Sequence, residues 1–408
     1  AVELLRRIDA PEREPLERFL AAICEIARGM GKVPGTEHLL TEDEVRKIIT
    51  ILEEIDPKAI DPKRIKEAIR DGKLTRKDDW RAIKALEILA RNLRRYLHTF
   101  EYALPVKDEA GKVTRPALNY SCSFCKVEMG EQDKVQYKLV IHCHHVAALV
   151  RARLAPKTTF SFSATIGKSD MFSYETGLDG RVFSAPSTFP HKNRHIFLPL
   201  DAEDLTQASD PQGKKKNRAL RNIARGCRRL KALGIRSLVI VVSNEERWKF
   251  MRFAKEEGIE AITYGDDVQA KDAIEVFKRG NGDVLCGCIS HYGMGIDLPK
   301  GQAGAIWFLR PGFPNPESAA TQFELARYSK GTYWARIAYR IMLEALQAIG
   351  RNIRGPRDKG VCFLMSTGFE KYVRASLPEW LEQSYCRGHT LDECLDMAEE
   401  LLVEKVLV

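Results

Sequence analysis

The 408-residue sequence has no G-x-x-x-x-G-K-[ST] phosphate loop. Its Gly167-Lys168-Ser169 string carries Phe162 where the first glycine would stand. Phenylalanine cannot make the turn that wraps backbone N–H groups around phosphates, so this string is not a phosphate cradle. No run of about 18 apolar residues occurs, which argues against a membrane-spanning helix. The opening stretch AVELLRRIDAPEREPL is charged throughout and has no apolar signal core. There is no internal repeat and no low-complexity tract, which excludes solenoid and linker-like classes. An initiator Met is also missing, and the expectation is a processed chain or a fragment. Ten cysteines scattered over this length, without a signal peptide, read as reduced thiols of an intracellular, cytoplasmic protein.

Hydrophobic residues make up 44% and charged residues 30% of the chain, with a net charge of +9. This describes a globular chain that tolerates, without requiring, a nucleic-acid partner. Residues 1–112 read as helical. ERFLAAICEIARGM, TEDEVRKIITILEEI, PKRIKEAIRDG and DWRAIKALEILARNLRRYL repeat apolar residues at three- and four-residue spacing. Thr41 and Glu44 have the spacing of a capping box. Residues 113–185 form a second region. ALNYSCSFCKVEM and KVQYKLVIHC read as a hairpin around GEQD, HVAALVRARL as a helix and TTFSFSAT as a buried strand. From 186 to 408 strands and helices alternate, which predicts an α/β fold, a parallel sheet with helices on both faces.

Three stretches of the α/β region carry candidate chemistry. The strand through Val242 ends in Ser243-Asn244 as a helix opens, the position from which open α/β sheets touch ligands. CISHYGMGIDLPKG follows the apolar DVLCG, and its glycines let a backbone approach a phosphate or nucleic-acid backbone. A loop with no ligand is the plainer reading. In QAIGRNIRGPRDKG a continuing helix would place Gln347, Arg351 and Arg354 on one side, a set able to grip a triphosphate because guanidinium stays charged and pairs bidentately. A solvated basic face is the alternative. Asp108-Glu109-Ala110-Gly111 imitates a metal-binding acidic pair, but it follows LPVK and not a buried strand, and it reads as a turn.

Taken in order, the Ser163-Ala164-Thr165-Ile166 string, the strand ending in Ser243, GMGIDLP at 293–299, AIWFLRPGFPNP and QAIGRNIR with Asp358-x-Gly360 resemble the later motifs of superfamily 2 helicases of the XPD/DinG branch. The resemblance covers about 140–375. It implies a RecA-like second motor domain at 186–408, a remnant of the first motor domain at 113–185, and an arch-like helical region at 1–112, the last by position only. It also implies that Arg351 and Arg354 reach the γ-phosphate of ATP and that Gln347 positions nucleotide or water. Gly295, Asp297 and Gly350 would lie in nucleotide-coupled motifs, and Ser163, Thr165 and Ser243 along single-stranded or 5′-tailed DNA. Met294 departs from the pattern, standing where the family carries a glutamate. The family's phosphate loop, acidic Mg²⁺ box and iron–sulfur cysteines precede these motifs. The resemblance therefore implies a C-terminal portion that needs a motor half, supplied upstream or as a separate chain, for ATP and Mg²⁺, with any iron–sulfur cluster in that missing part. A non-enzymatic nucleic-acid-binding module of the same fold is the second reading. A nuclease or interaction protein is a third, for which no carboxylate cluster speaks.

Cys122-x-x-Cys125 with His142-Cys143-His144-His145 has the look of a zinc set. Strand alternation would part Cys122 from Cys125, which favours core thiols and a partly buried histidine. Lys214 to Lys231 is a strongly basic helix, read either as a solvated face or as a phosphate contact through Lys215, Arg218 and Arg221. If it is a contact, replacing several of these cations by glutamate weakens DNA binding and flattens its dependence on salt. Unchanged affinity would remove the helix from the DNA track.

Overall fold

The computed structural model describes residues 13–29, 37–55, 67, 71, 77–115, 120–129, 134–154, 158–163, 165–183, 185, 189–265, 268–293, 296, 298, 302–353, 355–374 and 377–403. Two compact units are present. One comprises Ala1–Leu149 with Pro314–Lys330, the other Val150–Phe313 with Gly331–Val408. None of the described helices is long and apolar enough to cross a membrane.

In the first unit three amphipathic helices form as their spacing predicts: α1 (Arg13–Gly29), α2 (Glu42–Glu53) and α3 (Lys77–Glu101). The helix expected at 62–72 falls largely outside the described residues. Thr41 and Glu44 close the capping box at α2, Thr41 Oγ1 accepting from the Glu44 N–H while the Glu44 carboxylate accepts from Thr41 N–H at 2.8 Å. Val45, Ile48, Ile49 and Leu52 then line the inner face with Leu93, Phe100 and Cys122. The strand β1 (Glu37–Leu39) pairs with the hairpin β4 (Tyr120–Met129) and β5 (Lys134–Cys143). A two-stranded ribbon, β2 (Val106–Lys107) and β3 (Val113–Arg115), encloses the acidic string at 108–111 as an exposed turn. There Asp108 Oδ1 accepts from the N–H groups of Ala110 and Lys112.

The segment 314–330 completes this unit through the helix α9 (Ala319–Arg327). Its Glu324 is buried and accepts from His144 Nδ1 at 3.1 Å, which leaves His144 Nε2 to accept from Ser121 Oγ–H at 2.7 Å. His144 also stacks on Phe323. Glu37 Oε2 accepts from the Ala319 N–H, completing the cap that Ser318 begins. The spacing is that of a hydrolytic triad, but Ser121 and His144 are each only 4% exposed. A nucleophile sealed in this way meets no substrate, so the three groups serve to seat α9.

The second unit holds a seven-stranded sheet in the order β12-β6-β11-β10-β7-β9-β8. These strands are β6 (Arg194–Phe197), β7 (Ser237–Val241), β8 (Ala261–Ile262), β9 (Val284–Cys288), β10 (Ala305–Phe308), β11 (Gly360–Leu364) and β12 (Tyr385–Cys386). Every pairing is parallel. Alternation sends Val239, Cys286, Trp307 and Phe363 to a core shared with α6 (Lys214–Lys231), α7 (Asn244–Glu256) and α13 (Leu391–Val403). Leu238, Ile240, Leu285, Ile306 and Phe308 are buried on the opposite face. The Trp307 indole lies stacked on Phe363 with centroids 4.0 Å apart. It also fills the place of a missing side chain on α6, since a Cβ at Gly226 would meet Trp307 at 2.3 Å. That contact explains a glycine inside a helix, where it otherwise costs about 1 kcal/mol against alanine.

The strand expected over TTFSFSAT does not form. Residues 158–163 and 165 have no strand pairing, and Phe160 and Phe162 are 89% and 96% exposed. A strand needs a neighbour for its N–H and C=O groups, and no described strand of the second unit offers this segment one. The chain beyond it is instead fastened to the helix α10 (Lys330–Ile349). Tyr339 O–H donates to Ile166 O at 2.7 Å, and Gly167, at φ +72°, leaves room for Met342. Buried Arg336 pairs bidentately with Glu175 on α5 (Ser169–Thr176).

Helix α6 opens on Lys214-Lys215-Lys216, a first turn that its own dipole disfavours, and its N-cap is Gly213, which has no side chain to offer. Asp210 supplies the acceptor, taking the N–H groups of Lys215 and Lys216 at 3.1 and 2.9 Å. Burial alone would raise its carboxyl, but those N–H groups outweigh burial and hold it below the usual aspartate range. The carboxylate thus stabilises the fold above the unfolded-state aspartate value, and that contribution is lost as pH falls through its lowered pKa. Asp210→Ala is expected to cost about 1 kcal/mol at neutral pH. The deficit shrinks toward zero in strongly acidic buffer, measured by urea unfolding at several pH values. A deficit independent of pH would mean that the side chain acts by packing alone.

Candidate functional site

The loop after β9 and the turn that leads from α10 to β11 meet at one buried guanidinium, that of Arg351. Helix α10 stops at Ile349, so Arg351 lies in the turn after the helix and not on a continuing helical face. This corrects the i, i+4, i+7 expectation for Gln347, Arg351 and Arg354. The helix cannot go on because Asn352 is drawn between strands. Its amide donates to Gly304 O and Val361 O at 3.1 and 2.9 Å, and it occupies the space beside Gly360 where a Cβ would sit 2.5 Å away. Gln347 is half-buried on the last turn of α10, and Gly350 lies immediately after it. Arg351, only 5% exposed, donates to Gly293 O at 2.6 Å and to Ile296 O. Those carbonyls belong to the loop that leaves β9 through a π-helical turn, Ile289–Gly293. Arg354, Gly295 and Asp297 lie outside the described residues, as do Ala164 and Met294.

A second cluster joins the ends of β7 and β10. Ser243 is the N-cap of α7, its Oγ accepting from the Glu246 N–H. Buried Glu246 accepts in return from Val242 and Ser243 N–H, and its other oxygen takes the Arg310 Nε–H at 2.6 Å. The Ser243 hydroxyl is therefore engaged in capping. Ser163 is exposed and its Oγ accepts from the Thr165 N–H, a local turn. Through Ile166 and Gly167 this stretch rests on Tyr339 and Met342 of α10, the helix whose far end leads into Arg351. Eight residues of helix, about 12 Å, separate Tyr339 from Gln347.

On α6 the cations already have protein partners. Arg218 is bidentate to Glu203, Arg221 faces Glu256, Arg228 pairs with Glu257, and Lys215 donates to Ser209. The basic helix is largely charge-balanced by neighbouring acids. Exposed pairs of this kind are worth about 0–1 kcal/mol, a cost that phosphate contacts outweigh. Cys122, Cys227 and Cys362 are core thiols, each pushed up to about 12 by burial. Among the described residues no cluster of three or more His, Cys, Asp or Glu is arranged to hold a metal ion.

Sequence reasoning missed Asn352, Glu246, Arg310 and Arg247. A polar residue closing an apolar strand, as Arg310 closes AIWFL, was the available signal for one of them. It also missed Glu344 on α10, whose Oε2 lies 3.3 Å from the Cβ position of Gly312.

Residues 230–384 match the helicase C-terminal domain family. No curated protein matches the sequence. Among solved structures, a ligand-free XPD is 13% identical, with 95% of this chain and 71% of that one covered at a TM-score of 0.54. The Xpd4 of S. tokodaii is 14% identical over 91% of this chain and 71% of its own, at 0.45. S. cerevisiae Dbp5 bound to RNA and ADP–BeF3 is 16% identical over 59% of this chain and 54% of its own, at 0.37. Residues 230–384 are thus similar to a helicase C-terminal domain, and the chain is similar in fold to XPD. The resemblance to the C-terminal portion of an XPD/DinG-type superfamily 2 helicase, drawn from the motifs, is borne out at that level.

The Glu344 carboxyl gives a pH test of this end of the sheet. Burial pushes it up to about 7, against the lowering charge of Arg340. The folded chain favours the neutral acid, so stability falls as pH rises from about 4.5 to about 7 and is level above that. Glu344→Gln is expected to raise Tm at pH 8 and leave it unchanged near pH 4.5. An equal shift at both values would show that ionisation plays no part.

Proposed function

We propose that this chain is the C-terminal part of an ATP-dependent DNA helicase of XPD/DinG type, supplying an arginine finger and part of the DNA track. The observation that carries the reading is the junction at Arg351. One guanidinium links the end of α10 to the loop after β9, within the stretch that matches the helicase C-terminal domain. In this reading Arg351, with Arg354, turns toward the γ-phosphate of an ATP held by a phosphate loop outside these 408 residues. Arg351 would give up charge-assisted bonds to two carbonyls for bonds to an anionic phosphate, with which a guanidinium pairs bidentately. Gln347 sits one turn away to orient nucleotide or water. ATP with its Mg²⁺ supplies the phosphoryl group whose loss drives movement. The arginines of this chain would supply the electrostatic part of that chemistry, and among the described residues none is arranged to hold the metal.

A second reading, a nucleic-acid-binding module without catalysis, is favoured by the same guanidinium. Arg351 is already saturated by backbone carbonyls on two of its nitrogens. ATP hydrolysis by the purified chain, with and without single-stranded DNA, separates the two when a phosphate-loop-bearing motor half is added as a separate polypeptide. The helicase reading predicts no turnover by the chain alone. It predicts DNA-stimulated turnover of the mixture, reduced by about 10³-fold with Arg351→Ala. DNA binding with no stimulation of the added half would favour the binding module.

A further inference from the structure

At the C-terminal end of β7, β9 and β8 the second unit carries a set of aromatic rings that the Arg351 junction does not use. Trp248, in the second turn of α7, is 54% exposed. Tyr264 follows β8 and is half-buried, and His291 stands exposed on the π-helical turn after β9. Trp248 and Tyr264 are fixed against the Arg247 guanidinium, which is itself 3% exposed. Its carbon lies 4.4 Å from the Trp248 ring centroid and 4.2 Å from that of Tyr264. Arg247 donates to Thr263 Oγ1 at 3.0 Å, to Tyr264 O and to Asn244 Oδ1, so it cannot swing away without leaving buried donors unpaired. Tyr264 also meets His291 at 4.7 Å between centroids, and the Tyr264 hydroxyl accepts from the Cys288 N–H. Tyr292 is buried against Gly287, where a Cβ would meet its ring at 2.2 Å, and this anchors the turn that presents His291.

We infer that Trp248, Tyr264 and His291 form a base-stacking platform for single-stranded DNA. This rests on the helicase reading of the second unit. A core ring set needs no exposure, yet Trp248 and His291 keep theirs while a buried cation rigidifies their neighbours. Rigid, half-exposed rings at the C-terminal edge of a parallel sheet are what planar bases stack on, and every base has a face to offer. Arg247 adds a positive charge behind the rings, and its cation–π contacts hold Trp248 and Tyr264 in place. The sequence next to Tyr264-Gly265 is Asp266-Asp267, which does not attract phosphate. The platform therefore binds through bases more than through the backbone. That separates it from the cations of α6, whose contribution would be salt-dependent.

The test is equilibrium binding of the full 408-residue chain to a fluorescent oligo-dT and to an abasic oligomer of the same length, across a salt series. Trp248→Ala should weaken oligo-dT binding about tenfold, leave abasic binding unchanged, and leave the slope of log affinity against log salt unchanged. Trp248→Phe, which keeps a stacking face, should restore most of the loss and so excludes misfolding as its cause. Tyr264→Leu should behave as Trp248→Ala does. If the unmodified chain binds oligo-dT and Trp248→Ala binds it equally well, the platform is wrong and the helicase reading stands. If Trp248→Ala lowers abasic binding as much as oligo-dT binding, the residue does not act on bases and the platform is again wrong. If the unmodified chain binds neither oligomer, the helicase reading fails and takes the platform with it.

Discussion

A buried guanidinium must find acceptors, and Arg351 finds them in the carbonyls of Gly293 and Ile296. That constraint organises the end of the second unit. It fixes the loop after β9 against the turn after α10. Asn352 beside it bridges the N-terminal ends of β10 and β11. Helix α10 in turn carries Tyr339 and Met342, on which Ile166 and Gly167 rest. Three stretches far apart in sequence, at 163–167, 289–296 and 347–352, are thereby mechanically continuous through one helix and one arginine. A change at any of them has a path of direct contacts to the others.

The π-helical turn at Ile289–Gly293 sits at the middle of that path. Such turns often mark functional positions because they break the regular bonding of a helix. Here the turn presents His291 outward beside Tyr264 and gives its last carbonyl to Arg351. In the proposed reading, His291 of this turn meets single-stranded DNA while the Gly293 carbonyl holds the arginine that would be directed at the nucleotide. Coupling between ATP and DNA then needs no long-range wire. It needs only a short turn with two contacts.

Much of the fold was legible in the sequence because burial follows period. Strands and helices alternate from 194 to 403 as the pattern from 186 to 408 predicts, and the capping box at Thr41 follows from local spacing. TTFSFSAT was misread because a strand pattern states a preference that only a paired neighbour fulfils, and Phe160 and Phe162 have none among the described strands. The helical alignment expected of Gln347 and Arg351 does not form, because a tertiary contact at Asn352 ends the helix where periodicity would carry it on. Glu246, Arg247 and Arg310 were passed over for a related reason. Each is an ordinary charged residue in sequence and becomes distinctive only when folding buries it against a partner 64 residues away, as with Arg310 and Glu246, or between two rings.

The central claim is that Arg351 and the DNA-facing turn are one unit. Amide hydrogen exchange at residues 289–293 tests it most directly, measured with and without single-stranded DNA in the unmodified chain and in Arg351→Ala. The account predicts that DNA slows exchange of this turn in the unmodified chain. It predicts that Arg351→Ala exchanges faster at rest and loses most of the DNA-induced protection. Equal exchange in the two proteins, with and without DNA, would contradict it.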